Sequence, residues 1–144
     1  MTPSVLRTAV TAFAVAGALA FAAPSMAAMM TFKANLKGAS EVPPNTTPGT
    51  GSVTVTYDSD SKKITWKGSY SGLTGPATAA HFHGPAPAGK NAGVMIPIAP
   101  ATSPLEGSAT LTDSQAKALM DGDMYVNVHT AANKAGEIRG QLTK

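Results

Sequence analysis

The chain has no cysteine, which excludes a disulfide framework and every thiolate metal centre and leaves stability to packing and hydrogen bonds. Charge is sparse, at 13% of residues, and the lysines are scattered from Lys33 to Lys144. A nucleic-acid reader would carry a clustered basic stripe, so nucleic acid is not an expected partner. No nucleophile constellation emerges either: Ser71 and Ser103 have no evident His and Asp partners in the sequence. The Gly-Lys-Asn-Ala-Gly run from Gly89 to Gly93 lacks the strand-to-helix setting of a phosphate loop and reads as a turn. Internal repeats and long low-complexity tracts are absent as well.

What is present begins with an export signal. Arg7 supplies a positive n-region, Thr8 to Ala23 an apolar stretch, and Ser25-Met26-Ala27 a small-residue cleavage site. Cleavage is expected after Ala27, giving residues 1–27 as signal peptide and 28–144 as one domain in the periplasm or outside the cell. The apolar run is short for a membrane span of roughly 20 residues, so no membrane attachment is expected after cleavage. The formal charge of +3 includes Arg7, which leaves +2 on residues 28–144.

Turn formers then punctuate the sequence at short intervals, among them Pro43-Pro44-Asn45, Asp58-Ser59-Asp60, Gly75-Pro76, Gly84-Pro85 and Gly136. The intervening segments predict strands near 30–38, 51–58, 62–71, 77–83, 93–98, 106–111, 124–130 and 136–143. About eight short strands with tight turns imply an all-β Greek-key sandwich or barrel. Alternation places Val53, Val55 and Tyr57 on one face, and likewise Ile64, Trp66 and Tyr70, which makes them core candidates. One helix is predicted over Asp113 to Met120. Thr112 and Gln115 form its capping box, Gly122 stops it, and Ala116, Leu119 and Met120 are its buried stripe. Glu41 to Pro48 reads as an extended loop.

The three histidines fall in two strands, in His81-Phe82-His83 and Tyr125-Val126-Asn127-Val128-His129. Alternate side chains of a strand share a face, so His81 and His83 project together from Cβ atoms about 6.6 Å apart. Ala80 and Phe82 take the opposite, core face. Val126 and Val128 are likewise inward, which turns Tyr125, Asn127 and His129 to the polar side. Neutral imidazole suits copper and zinc, while a blue-copper centre would need the missing thiolate. A His-x-His pair also arises by chance, and a polar patch is the plain alternative. Further along, Ile138 and Leu142 are inward, and Glu137, Arg139 and Gln141 are expected to face outward. Arg139, the one arginine of residues 28–144, suits a carboxylate or small anion, or else an ion pair with Glu137, Asp121 or Asp123.

Three segments together carry a family resemblance. They are Leu36-Lys37-Gly38-Ala39-Ser40-Glu41-Val42-Pro43-Pro44, Ala80-His81-Phe82-His83-Gly84-Pro85-Ala86, and Tyr125-Val126-Asn127-Val128-His129-Thr130 followed by Gly136-Glu137-Ile138-Arg139-Gly140-Gln141-Leu142. They resemble the CHRD domain, which implies a β-sandwich without a settled activity. A more distant likeness runs through Gly72-Leu73-Thr74-Gly75, the His-x-His pair, Val128-His129, Asn133-Lys134-Ala135-Gly136 and Arg139. Their order is similar to that of the copper,zinc superoxide dismutases, in which such a pair and a late histidine bind copper and an arginine guides the anionic substrate. The bridging histidine, zinc ligands and disulfide of those enzymes have no counterpart here.

The resemblance therefore implies a superoxide dismutase-like or immunoglobulin-like fold. It also implies a copper site of His81, His83 and His129 with Arg139 near it, completed by water, the Met95 thioether or a partner. Met29 and Met30 are further soft donors. The resulting expectation is an exported copper-binding protein for storage, delivery or protection. The alternatives are an adhesion or matrix module whose partner is another exported protein or a polysaccharide, and a copper-only dismutase.

Overall fold

Strands form where β-branched and aromatic residues alternate with polar ones. In a computed structural model that describes residues 27–144, eight of them run as β1 (Met29–Lys37), β2 (Thr50–Asp58), β3 (Lys63–Ser71), β4 (Ala77–His83), β5 (Val94–Pro97), β6 (Leu105–Thr110), β7 (Tyr125–Thr130) and β8 (Ile138–Gln141). Each lies within two residues of its predicted start. The expected signal segment falls almost wholly outside the described residues. No described helix is long and apolar enough to cross a membrane.

All pairings are antiparallel, in the order β5-β4-β7-β8-β1-β2-β3-β6. After the β1-β2-β3 meander, β6 returns past β4 and β5 to pair with β3, and β7 returns past β5 and β6 to pair with β4, the long returns of a Greek key. The sheet curls until its inner face meets itself. Trp66 on β3 and Phe82 on β4, far apart in strand order, pack edge to face with ring centroids 5.1 Å apart. Each such ring taken out of water contributes roughly 1.5–3 kcal/mol, and the edge-to-face contact adds about 0.5–1.5. Gly107, the cross-strand partner of Trp66, makes room for the indole: a Cβ there would stand 2.3 Å from Trp66 Cζ2.

The alternation sets hold. Val53, Val55, Tyr57, Ile64, Trp66, Ala80, Phe82, Val126, Val128, Ile138 and Leu142 are all buried in the core, while Tyr70 is half-buried at its margin. The helix α1 (Asp113–Asp121) has the expected capping box, with Gln115 N–H donating to Thr112 Oγ1 and Thr112 N–H to Gln115 Oε1. Gly122 closes it in the left-handed conformation at φ 79°.

Met120 departs from expectation. It is 39% exposed, and Ala118 is buried in its stead. Ala116 and Leu119, three apart, already face the sheet. Met120 lies beyond the edge of that stripe, while Ala118 is covered where the chain doubles back and Asp123 N–H bonds its carbonyl.

A larger departure concerns β8. Glu137 and Arg139 do point away from the core, yet both are buried, and Gln141 is half-buried. Alternation assigns a side of the sheet, not its contact with water. Here the loops 38–49 and 84–93 fold over that side.

Candidate metal centre

Register brings the histidines together. In the β4–β7 ladder Ala79 faces His129, His81 faces Asn127 and His83 faces Tyr125, so His81 and His129 are diagonal neighbours on the face opposite Phe82, Val126 and Val128. His81 Nδ1 and His129 Nε2 are 3.0 Å apart. Two nitrogens bound at about 2.0–2.1 Å to one ion stand roughly 2.9–3.4 Å apart at angles of about 90° to 109°, so this pair already has chelating geometry. The ligating atoms of all three rings lie within 4.8 Å of one another. At most about 1.4 Å of closure, shared among the rings, would bring them to the roughly 3.4 Å of a tetrahedral pair.

The surroundings fix which nitrogens carry lone pairs. His129 Nδ1 donates to the Lys134 carbonyl at 2.8 Å, and His83 Nδ1 to the Ala92 carbonyl at 3.0 Å. A carbonyl only accepts, so in a neutral ring the lone pair falls on Nε2 in both cases. His129 Nε2 directs its lone pair at His81. His83 Nε2 lies 2.9 Å from Asn127 Oδ1, where lone pair would face lone pair. That conflict disappears when Asn127 turns its amide NH2 toward the ring or when a cation takes the lone pair.

Burial favours the neutral form of His81 and of His83. His81 is pushed below the ordinary histidine value first by loss of water, then by His129 and His83. His83, 8% exposed, is lowered chiefly by burial. The Ala92 carbonyl and the Asn127 oxygen pull it back up, and His129 and Arg139 add to the lowering. His81 and His129 are half-buried and reach solvent.

The structure thus brings together the nitrogens of His81, His83 and His129, and it sets Arg139 on the far face of Tyr125 from His83. Met95 packs against the core with its Sδ beside Gly84, so packing accounts for its place. Arg139 makes none of the expected ion pairs with Glu137, Asp121 or Asp123. It donates through Nη1 to Asn91 Oδ1 at 2.9 Å and through Nη2 to the Lys90 carbonyl, and it lies over the Tyr125 ring, 3.5 Å from its centroid.

Glu137, expected on the outside, is a buried knot. Thr47, Thr130 and Thr74 donate to its carboxylate through hydroxyls, and Thr74 also through its N–H. Burial works against the charge, but these bonds outweigh it and hold Glu137 at about 2.

Sequence reasoning passed over Tyr125 and Asn127 as functional residues, although alternation put both on the face of His129. The carbonyls of Ala92 and Lys134 carry no side-chain signal. Their positions depend on loops, and at one of these Gly136 is required: at φ 133°, a Cβ would stand 2.4 Å from Glu41 Oε1 and 2.6 Å from Asn127 Nδ2.

The family model of the CHRD domain matches residues 32–142. The chain belongs to the CHRD-domain family. Neither the curated proteins nor the solved structures include one that matches it. The match spans all eight strands except the first three residues of β1, and it includes the three histidines of this CHRD domain and its buried Arg139.

Proposed function

We propose that this CHRD domain is exported and binds one copper ion through His81, His83 and His129, serving copper storage, delivery or protection. The observation that carries the reading is the oriented lone pair. His129 Nε2, its tautomer set by the Lys134 carbonyl, lies 3.0 Å from His81 Nδ1, with His83 held in the same tautomer beside them. Two bare imidazoles that close either share a proton or share a cation.

The donor set selects the class of ion. Three imidazoles without a carboxylate or thiolate favour copper or zinc over magnesium, calcium or manganese, and copper stands above zinc in intrinsic affinity for nitrogen sites. A concavity of about 410 Å³ lined by Thr78, Ala79, His81, His129 and Lys134 leaves the ion open to an incoming ligand, as storage or hand-over requires. Copper chemistry on a substrate has weaker support. Arg139, which would have to attract an anion, is buried, with Tyr125 between it and His83.

The test is a calorimetric copper titration of metal-free protein beside His81→Ala, His83→Ala and His129→Ala. A shared site requires one ion per chain and a comparable loss of affinity in all three variants. If His129→Ala bound copper like the parent, only a surface His-x-His chelate would remain, and the adhesion-module reading would take precedence.

A further inference from the structure

Across Tyr125 from the histidines lies a second cavity, of about 480 Å³, between the loop after β1 and the loop after β4. Its walls are largely apolar, with Val42, Pro44 and Ala88 among them, and the buried Glu41 and Arg139 and the half-buried Gln141 complete the lining. Apolar walls around a few convergent polar groups are the usual make-up of a small-molecule site.

Those polar groups have unmet requirements. Arg139 is 2% exposed, and among the described residues no carboxylate lies within ion-pair distance of it: the ion pairs are Lys62–Asp113 and Lys117–Asp121. A buried cation without a counter-ion is costly. Two of the five guanidinium N–H groups are used by Asn91 and Lys90, which leaves the others for a ligand. The charge of Arg139 bears on Glu41, but burial raises that carboxyl to about 7, so it neutralises the guanidinium only in part. Glu41 Oε1 is buried without a hydrogen-bond partner, and so is Gln141 Oε1, whose amide NH2 is committed to the carbonyls of Ala86 and Gly122.

We propose that this cavity binds a small organic carboxylate with an apolar body and a hydrogen-bond donor beside the acid, such as a 2-hydroxy acid. Arg139 takes the carboxylate, Glu41 and Gln141 accept from the donor, and Val42, Pro44 and Ala88 cover the apolar part. The site is separate from the histidine cluster and does not rest on copper binding.

The test uses the full domain, kept metal-free with a chelator because 2-hydroxy acids themselves bind metals. Mandelate, its uncharged amide and inorganic phosphate are titrated in turn and followed by amide chemical shifts. Mandelate is expected to bind saturably, at least about tenfold more tightly than the amide or phosphate, with the largest shifts at residues 39–44 and 88–91. Arg139→Lys should weaken it about tenfold or more, since a point charge replaces a planar fork. Ala88→Trp, on the exposed rim, should block the cavity while leaving the fold and the histidine signals intact, and it keeps the test decisive if the arginine variant does not fold. Three outcomes overturn the proposal: no saturable mandelate binding, equal binding of mandelate and its amide or phosphate, or full binding by Ala88→Trp.

Discussion

The Tyr125 ring lies face to face with the His83 imidazole, 4.9 Å between centroids and 3° from parallel. Its hydroxyl accepts from Ala92 N–H at 3.0 Å and donates to the Ala92 carbonyl at 3.2 Å, the same carbonyl that takes the proton of His83 Nδ1. One side chain thus presses the ring flat and also holds the peptide that sets its tautomer. With Arg139 over the same phenol ring, and with the strands of His83 and Arg139 on either side of β7, the three groups make a continuous stack.

Removing the hydroxyl while keeping the ring isolates the second role. Tyr125→Phe should weaken copper binding up to about tenfold, because it frees the Ala92 peptide whose carbonyl orients His83. Isothermal titration of metal-free variant and parent measures this. Unchanged affinity would show that the Ala92 peptide holds its place without the phenol.

Phe82 stands between two histidines in sequence but is fully buried against Trp66. Phe82→Ala should cost roughly 3–5 kcal/mol in urea unfolding, the range for emptying an aromatic core site. His81→Ala in metal-free protein should cost far less, since that ring is half-exposed. Equal losses would contradict the assignment of the two side chains to opposite faces.

Glu137 governs the acid limb of stability. Its threonine partners hold it at about 2 in the fold, below the ordinary glutamate value of 4.5, so the folded state binds fewer protons than the unfolded one. The contribution is complete above about 4.5 and is lost as pH falls toward 2, amounting to on the order of 3 kcal/mol. Glu137→Gln should be less stable than the parent at pH 7, and the gap should narrow steadily below pH 4.5. A gap independent of pH would show that the carboxylate is not held as an anion by its threonines.

Glu41 runs the other way. Burial raises it to about 7, so its contribution is present below about 4.5 and is lost as pH rises through 7. His81 and His83, lowered by burial, have the opposite slope below 6.5. The informative quantity is therefore the difference between Glu41→Gln and the parent. That difference should move in favour of the variant by on the order of 3 kcal/mol between pH 4.5 and pH 8 in denaturant titrations. A constant difference would mean that Glu41 ionises as freely in the fold as in the unfolded chain.

Strand alternation made the core and the histidine face legible in the sequence, because a period of two needs no knowledge of what lies above the sheet. That period alone turns Phe82 and Val128 inward and sets His81, His83 and His129 together on the other side. Arg139 and Glu137 show where it stops. Alternation gives their side of the sheet but not their burial, since the loops 38–49 and 84–93 that cover them are placed by hydrogen bonds between residues up to 92 apart in sequence, as from Asn45 to the Glu137 carbonyl. Glu41 is illegible for the same reason: at the head of a proline-rich stretch that reads as an extended loop, it gives no sign of burial until the opposing loop closes over it.

The alternation in β4 also makes the histidine cluster a record of how the sheet was assembled. A slip of one residue against β7 would carry Phe82 and Ala80 to the polar side and drive His81 and His83 into the space beside Trp66. A chain misregistered by one residue could then not keep three imidazoles in mutual contact. The histidine ring resonances, observable without any added ligand, therefore report on pairing order across the central strands, and they distinguish a natively threaded chain from one that is merely collapsed.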